Sequence, residues 1–190
     1  HRTSDKRQAL FGIVQGGAYR DLREESASFI ADQDFQGYAI GGSLGRSKDD
    51  MYNVLKWTVP FLPKDKPRHL LGIGEIDDIF EAVECGIDLF DCVAPTRMAR
   101  TGTLFNRSAE RSRIHILNAQ FKDDPRPIEE GCNCYTCRNH SRAYLRHLFV
   151  ANLATIHNLY FIESLMQEIR SAIREERLAK LRKEWKFELS

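Results

Sequence analysis

Leu10-Phe11-Gly12-Ile13-Val14-Gln15 is an apolar run of one buried strand's length, and Gly16-Gly17 closes it with a turn. The polar–apolar stretch around Asp21 to Ala31 that follows predicts a helix. The same phrase then recurs. Gly37-Tyr38-Ala39-Ile40 is a second strand ending in paired glycines, Gly41-Gly42, and the helix expected from Lys48 to Val59 has an apolar stripe in the spacing of Met51, Val54, Leu55 and Thr58. His69-Leu70-Leu71-Gly72-Ile73-Gly74 is a third strand, with Ile76 to Cys85 as its helix, and Ile87 to Cys92 is a fourth.

Short apolar strands alternating with helices predict parallel βα units. Glycines and acidic or amide residues fall at the strands' C-terminal ends, the end where barrel enzymes assemble their sites. A closed (βα)8 TIM-type barrel needs roughly 250 residues, so the four visible units predict an α/β half-barrel, with residues 1–105 forming it and 106–190 a second, largely helical subdomain. An open doubly wound sheet is the rival architecture.

Outward from that core, composition narrows the class. With 42% apolar and 29% charged residues in 190, the chain is an ordinary globular polypeptide with material for one sizeable core. Lys and Arg number 28 against 27 Asp and Glu, so bulk charge gives no sign of nucleic-acid binding, and any such surface must be local. No apolar run approaches the ~18 residues of a membrane span, and the expected location is the cytoplasm. His1 stands where an initiator methionine would, which reads as a trimmed or partial polypeptide.

Asp88-Leu89-Phe90-Asp91-Cys92-Val93-Ala94-Pro95-Thr96-Arg97-Met98-Ala99-Arg100 is the most informative chemical stretch. Asp91 ends the fourth strand, a proline halts the run, and Arg97 and Arg100 follow, cations suited to phosphate. Asp91 could simply cap a turn, and isolated arginines are usually solvated, so their functional reading rests on standing directly after Asp91. Asp88 competes but should point to the opposite side of the strand. Gln15, before its own glycine pair, offers a donor and an acceptor to a purine-like base edge, and Gly41-Gly42 lets backbone groups approach a flat ligand. Thr101 to Asn118 is expected to be extended or a hairpin, Asp123 to Gly131 an acidic Pro-containing loop, and the chain from Asn139 to about Trp185 helical. The last part of that helical run, Arg170 to Lys186, reads as a charged, solvated helix or tail.

Five cysteines, three of them in Cys132-Asn133-Cys134-Tyr135-Thr136-Cys137, fit a reducing compartment and a metal site better than a disulfide framework. Thiolates suit Zn2+ in a tetrahedral site that needs a fourth ligand, with His140, His147 and His157 as candidates. A closed four-ligand site would be structural.

Taken together, Phe11 to Gly17, Gly37 to Gly42, Phe90 to Arg97, Gly102-Thr103-Leu104-Phe105, and the three-cysteine cluster with Ser141-Arg142-Ala143-Tyr144-Leu145 resemble the tRNA-guanine transglycosylases, or queuine tRNA-ribosyltransferases, in order and over essentially the whole chain. The resemblance implies the C-terminal half of a zinc-containing (βα)8 barrel that exchanges the wobble guanine of a tRNA anticodon for a 7-deazaguanine base, preQ1 or queuine. On that resemblance Asp91 matches the nucleophile that forms a covalent ester with ribose C1′, in the manner of a retaining glycosidase, on a nucleotide taken out of its stack. Gln15, Gly41, Gly42 and Leu71 match base-holding positions, and Arg97 and Arg100 match positions contacting the anticodon loop. Cys132, Cys134, Cys137 and His157 match the ligands of a structural Zn2+, and a homodimer is implied. The family's general acid/base, a second aspartate, belongs to the other barrel half, so this segment alone should not turn over. Ser43-Leu44-Gly45-Arg46 lacks the Glu of the bacterial pattern that reads an aminomethyl group, which favours another 7-substituent such as that of queuine. The segment from Cys137 to His157 is several residues shorter than the family's. A non-catalytic tRNA-binding or dimerising subunit is the second reading, opposed by Asp91 and its intact surroundings; a catalytic-zinc enzyme is the third, opposed by three thiols that leave no open position.

Overall fold

A computed structural model describes residues 8–185. The chain forms two compact units, His1–Cys92 and Val93–Ser190.

The first unit is built from β1 (Phe11–Val14), α1 (Arg20–Ala31), β2 (Gly37–Ile40), α2 (Lys48–Thr58), β3 (Arg68–Leu70), α3 (Ile76–Glu84) and β4 (Leu89–Phe90). The strands make one parallel sheet in the order β1-β2-β3-β4. A doubly wound sheet reverses its order at a switch point; these four strands contain no reversal. Register explains which side chains are buried. Val14, Ile40, Leu70 and Phe90 lie in one cross-strand row, and Ile13, Ala39, His69 and Leu89 in the next. Side chains alternate faces along a strand, so the two rows look in opposite directions. The first meets the helices, with Val14, Ile40 and Leu70 at 0% exposure beside Ala27, Val54, Leu55 and Ala82. Each aliphatic side chain so buried stabilises the unit by about 1.5–3 kcal/mol. The second row is more open, with Ile13 45% and Leu89 43% exposed.

Consecutive helices pack on one another, α1 on α2 and α2 on α3. Ser47 caps α2, its hydroxyl accepting from the Asp50 amide while the Asp50 carboxylate accepts from the Ser47 amide. Lys48 then bridges α2 to Asp77 and Asp78 at the start of α3, and the Tyr52 hydroxyl donates to Asp78 at 2.8 Å.

The second unit begins with α4 (Ala94–Arg100), a helix where the sequence suggested only a turn. Pro95 sits in its first turn, where a missing N–H costs nothing and a fixed φ suits the helix. β5 (Thr103–Phe105) and β6 (Arg113–His115) form the expected hairpin. α5 (Tyr135–Asn139), α6 (Arg142–His147), α7 (Ala151–Arg174) and α8 (Leu178–Glu184) complete the unit. Within this unit α4 and β5 both pack on α7. The stretch from Arg170 is not a solvated tail. Ala172, Leu181 and Trp185 are buried, Trp185 meets Phe161 edge-on at 5.7 Å, and the Arg107 guanidinium lies 4.3 Å from the Trp185 ring centre. Lys186 lies outside the described residues. No described helix is long and apolar enough to cross a membrane.

Candidate active site and metal centre

The C-terminal ends of the four parallel strands bring the first unit's chemistry-bearing residues together. Gln15, Leu71 and Asp91 continue the odd-numbered row of β1, β3 and β4, so they share the face turned away from the helices. A side-chain carbon built on Gly41 would lie 2.9 Å from Leu71 Cδ1 and 3.2 Å from Gln15 Nε2. One on Gly42 would lie 2.3 Å from Gln15 Oε1. The Gln15 amide thus rests directly against the glycine pair, which only glycine permits. Asp91 joins this group through Gly72, whose amide donates to Asp91 Oδ1 at 3.2 Å. Its side chain is 60% exposed, and His69 Nε2 lies 3.0 Å from the same oxygen. Asp88 is engaged elsewhere, accepting from the Arg68 amide at 2.9 Å.

Arg23 organises the two glycine turns from below. Fully buried on α1, it donates from Nε to Gly17 O at 2.6 Å, from Nη1 to Val14 O at 3.2 Å, and from Nη2 to Gly41 O and Ser43 O at 2.9 and 3.0 Å. Burial lowers its pKa, and carbonyl dipoles take the place of a counter-ion. Asp50 accepts from the amides of Arg46 and Ser47, so this acid after the Ser43–Arg46 loop is committed to the start of α2. Hydrogen bonds from those amides and from Ser47 hold its pKa down. Arg97 and Arg100 are exposed on α4, in the second unit.

Within that second unit Cys132, Cys134, Cys137 and His157 converge, one ligand atom from each lying within 4.8 Å of every other. His157 Nδ1 is 3.9, 3.5 and 3.4 Å from the three sulfurs. A tetrahedral ion with Zn–S of about 2.3 Å and Zn–N of about 2.0 Å requires sulfur–nitrogen edges of about 3.5 Å, so the donor set and its spacing fit a metal ion. The imidazole is oriented for it: His157 Nε2–H donates to Phe105 O at 2.8 Å, which leaves the Nδ1 lone pair facing the thiols. The Cys137 amide donates to Cys134 Sγ at 3.3 Å. Hydrogen bonding from Cys137 pulls the Cys134 thiol well below its usual range, while the same hydrogen bond to Cys134 raises Cys137. Burial works against charging His157, but the Cys132 and Cys134 sulfurs raise it to about 9. α7 delivers His157 to the three cysteines. His140 instead stacks on Tyr144 at 4.8 Å, and His147 is exposed.

Beside His157, Asn158 is fully buried. It donates to Pro95 O at 2.9 Å and Thr103 O at 3.1 Å, and accepts from the Phe105 amide at 3.0 Å. The profile of one protein family, described as queuine tRNA-ribosyltransferase, matches residues 1–189.

The chain belongs to the queuine tRNA-ribosyltransferase family.

A protein named queuine tRNA-ribosyltransferase from Thermoanaerobacter pseudethanolicus is 52% identical over 192 residues, covering 97% of this chain and 50% of the relative. One of the same name from Staphylococcus aureus strain JH9 is 52% identical over 185 residues, covering 94% and 48%. A provisionally named queuine tRNA-ribosyltransferase from Archaeoglobus fulgidus is 55% identical over 193 residues, covering 95% and 48%. The chain therefore spans about half the length of the curated relatives it matches. His69, Arg23 and Asn158 escaped the sequence reading. Strand parity was the available signal for His69, which stands two residues before Leu71 on the same face. An arginine four residues before buried Ala27 was the signal for Arg23, and adjacency to His157 the signal for Asn158.

Proposed function

We propose that the complete protein carrying this segment exchanges the wobble guanine of a tRNA anticodon for a 7-deazaguanine base, with Asp91 as the nucleophile. Membership of the queuine tRNA-ribosyltransferase family supports this. The observation that carries it is the grouping of Gln15, Gly41, Gly42, Leu71 and Asp91 at the C-terminal ends of four parallel strands. Gln15 and the glycine backbone hold the base edge. Asp91 attacks ribose C1′ to form an aspartyl–ribose ester, and the incoming base displaces it with restored configuration. The proton taken by the departing base and lost by the incoming one moves through a carboxylic acid supplied from outside this chain. Residues 1–105 contribute half of a (βα)8 barrel, and residues 106–190 its helical subdomain. The open inner row with Ile13 and Leu89, and the sequential strand order, support the half-barrel.

Cys132, Cys134, Cys137 and His157 hold Zn2+, which braces the second unit and takes no part in the reaction. Arg97 and Arg100 contact the anticodon loop. The segment Ser43–Arg46 offers no carboxylate, which supports queuine over an aminomethyl-bearing base. The protein works in the cytoplasm as a homodimer.

The test is incorporation of labelled guanine into tRNA by the complete protein, with zinc content measured alongside. Exchange is expected in the unaltered protein, with a loss of at least about a thousandfold in Asp91→Asn and one zinc per chain in both. Exchange surviving Asp91→Asn would remove the nucleophile assignment.

A further inference from the structure

The surroundings of the Asp91 carboxylate are lopsided. Among the described residues of the first unit, two polar groups address Asp91 Oδ1, the Gly72 amide at 3.2 Å and His69 Nε2 at 3.0 Å. His69 projects from β3 in register with Leu89, two residues before Asp91 on the next strand, so alternation brings both side chains to one face. Its Nε2 is buried and has no linear hydrogen-bond partner, although the ring as a whole keeps a quarter of its surface. The nitrogen approaches Oδ1 off the N–H axis. Buried side-chain nitrogens are seldom left in that condition, and contacts that serve catalysis are often misaligned until substrate arrives.

We infer that His69 is a positioning residue for Asp91: with the Gly72 amide it anchors Oδ1 and leaves Oδ2 as the oxygen that attacks the sugar. The inference rests on the reading of Asp91 as nucleophile. In the first displacement a lone pair of Oδ2 forms the bond to C1′. The C1′–N9 bond breaks, and its electron pair leaves with guanine, which takes a proton from the carboxylic acid outside this chain. Oδ1 becomes the carbonyl oxygen of the ester, still facing its two donors. In the second displacement the incoming base gives its N9 proton to that acid's conjugate base and attacks C1′. The C1′–Oδ2 bond breaks, with the pair returning to the carboxylate. The two donors therefore fix the rotamer that presents Oδ2, and they stabilise the charge that returns when Asp91 leaves.

A packing role for His69 against Ala39 and Leu89 would tolerate an apolar replacement. The positioning role requires a donor at the Nε2 point, which a glutamine amide reaches and an asparagine amide does not. The complete protein is compared as wild type, His69→Leu, His69→Gln, His69→Asn and Asp91→Asn. Steady-state exchange and the single-turnover rate of covalent tRNA–protein formation are measured, with thermal melting as the folding control. The expected result is a kcat lowered roughly ten- to a hundredfold in His69→Leu and His69→Asn. KM for tRNA and for base should stay within about twofold, and His69→Gln should recover most of the rate. Normal kcat in His69→Leu, or a defect in His69→Gln equal to that in His69→Asn, overturns the inference while leaving Asp91 in place if Asp91→Asn is inactive. Should His69→Leu not fold, the comparison of glutamine with asparagine decides alone. Activity in Asp91→Asn overturns the parent reading instead.

Discussion

At Gly42, φ is +75°, and any side chain would begin 2.3 Å from Gln15 Oε1. Gly42→Ala should cost about 1–2 kcal/mol in backbone strain alone and push the Gln15 amide off the base edge. The expected outcome is a KM for the base raised about tenfold or more with KM for tRNA little changed, read from exchange kinetics. Asp124 makes a second prediction at this scale. Hydrogen bonds from Arg126, joined by Arg142 and opposed by burial, hold its carboxyl well below the usual range. Because the folded-state pKa is depressed, the stabilisation is present above the unfolded value of about 3.9 and fades as pH falls below it toward the native value. Thermal melting followed from pH 6 to pH 2.5 should show a falling midpoint below about pH 4, and Asp124→Asn should flatten that slope while lowering the midpoint at pH 6. Asp91 was legible because an acid closing an apolar strand is rare enough to notice. His69 was not, since a histidine inside a strand reads the same whether it packs or aims at a carboxylate.

Among the elements, α7 does the most joining. Its buried residues Ala154, His157, Asn158, Phe161, Leu165, Ile169 and Ala172 recur at helical spacing, so one face is closed over its whole length. Asn158→Ala removes three hydrogen bonds from buried backbone groups and should lower stability by about 2–4 kcal/mol, measured by denaturant unfolding. The cysteine cluster is joined to this element through His157. Cys134→Ser should abolish stoichiometric zinc and lower the thermal midpoint of the second unit, with helical circular dichroism lost in the same transition. α4 was missed because Pro-Thr-Arg looks like a break; a proline in a first turn starts a helix as readily as it stops one. The charged composition after Arg170 hid Leu181 and Trp185, and Trp185 packs on Phe161 and Arg107 far back in the sequence.

For the whole molecule, the alternation of strands and helices announced a parallel sheet, but strand order is a matter of non-local pairing and no local pattern encodes it. The Ile13–Leu89 face has a consequence for the isolated segment. Expressed as residues 1–190, it should bind a hydrophobic dye and associate at low concentration. Co-expression with the half of a family member that this chain does not span should suppress both, as read by dye fluorescence and light scattering. A monodisperse, dye-silent segment would argue against the half-barrel.

Phe105 has both its main-chain polar groups taken by neighbouring residues of a single helix, the amide by Asn158 and the carbonyl by His157. The cluster's imidazole is thereby fastened to β5, and its neighbour fastens the first turn of the arginine-bearing helix through Pro95. On the proposed role of Arg97 and Arg100, depletion of the metal should therefore surface first as a slackened hold on the nucleic acid, while whatever substrate still docks correctly is converted at its normal pace.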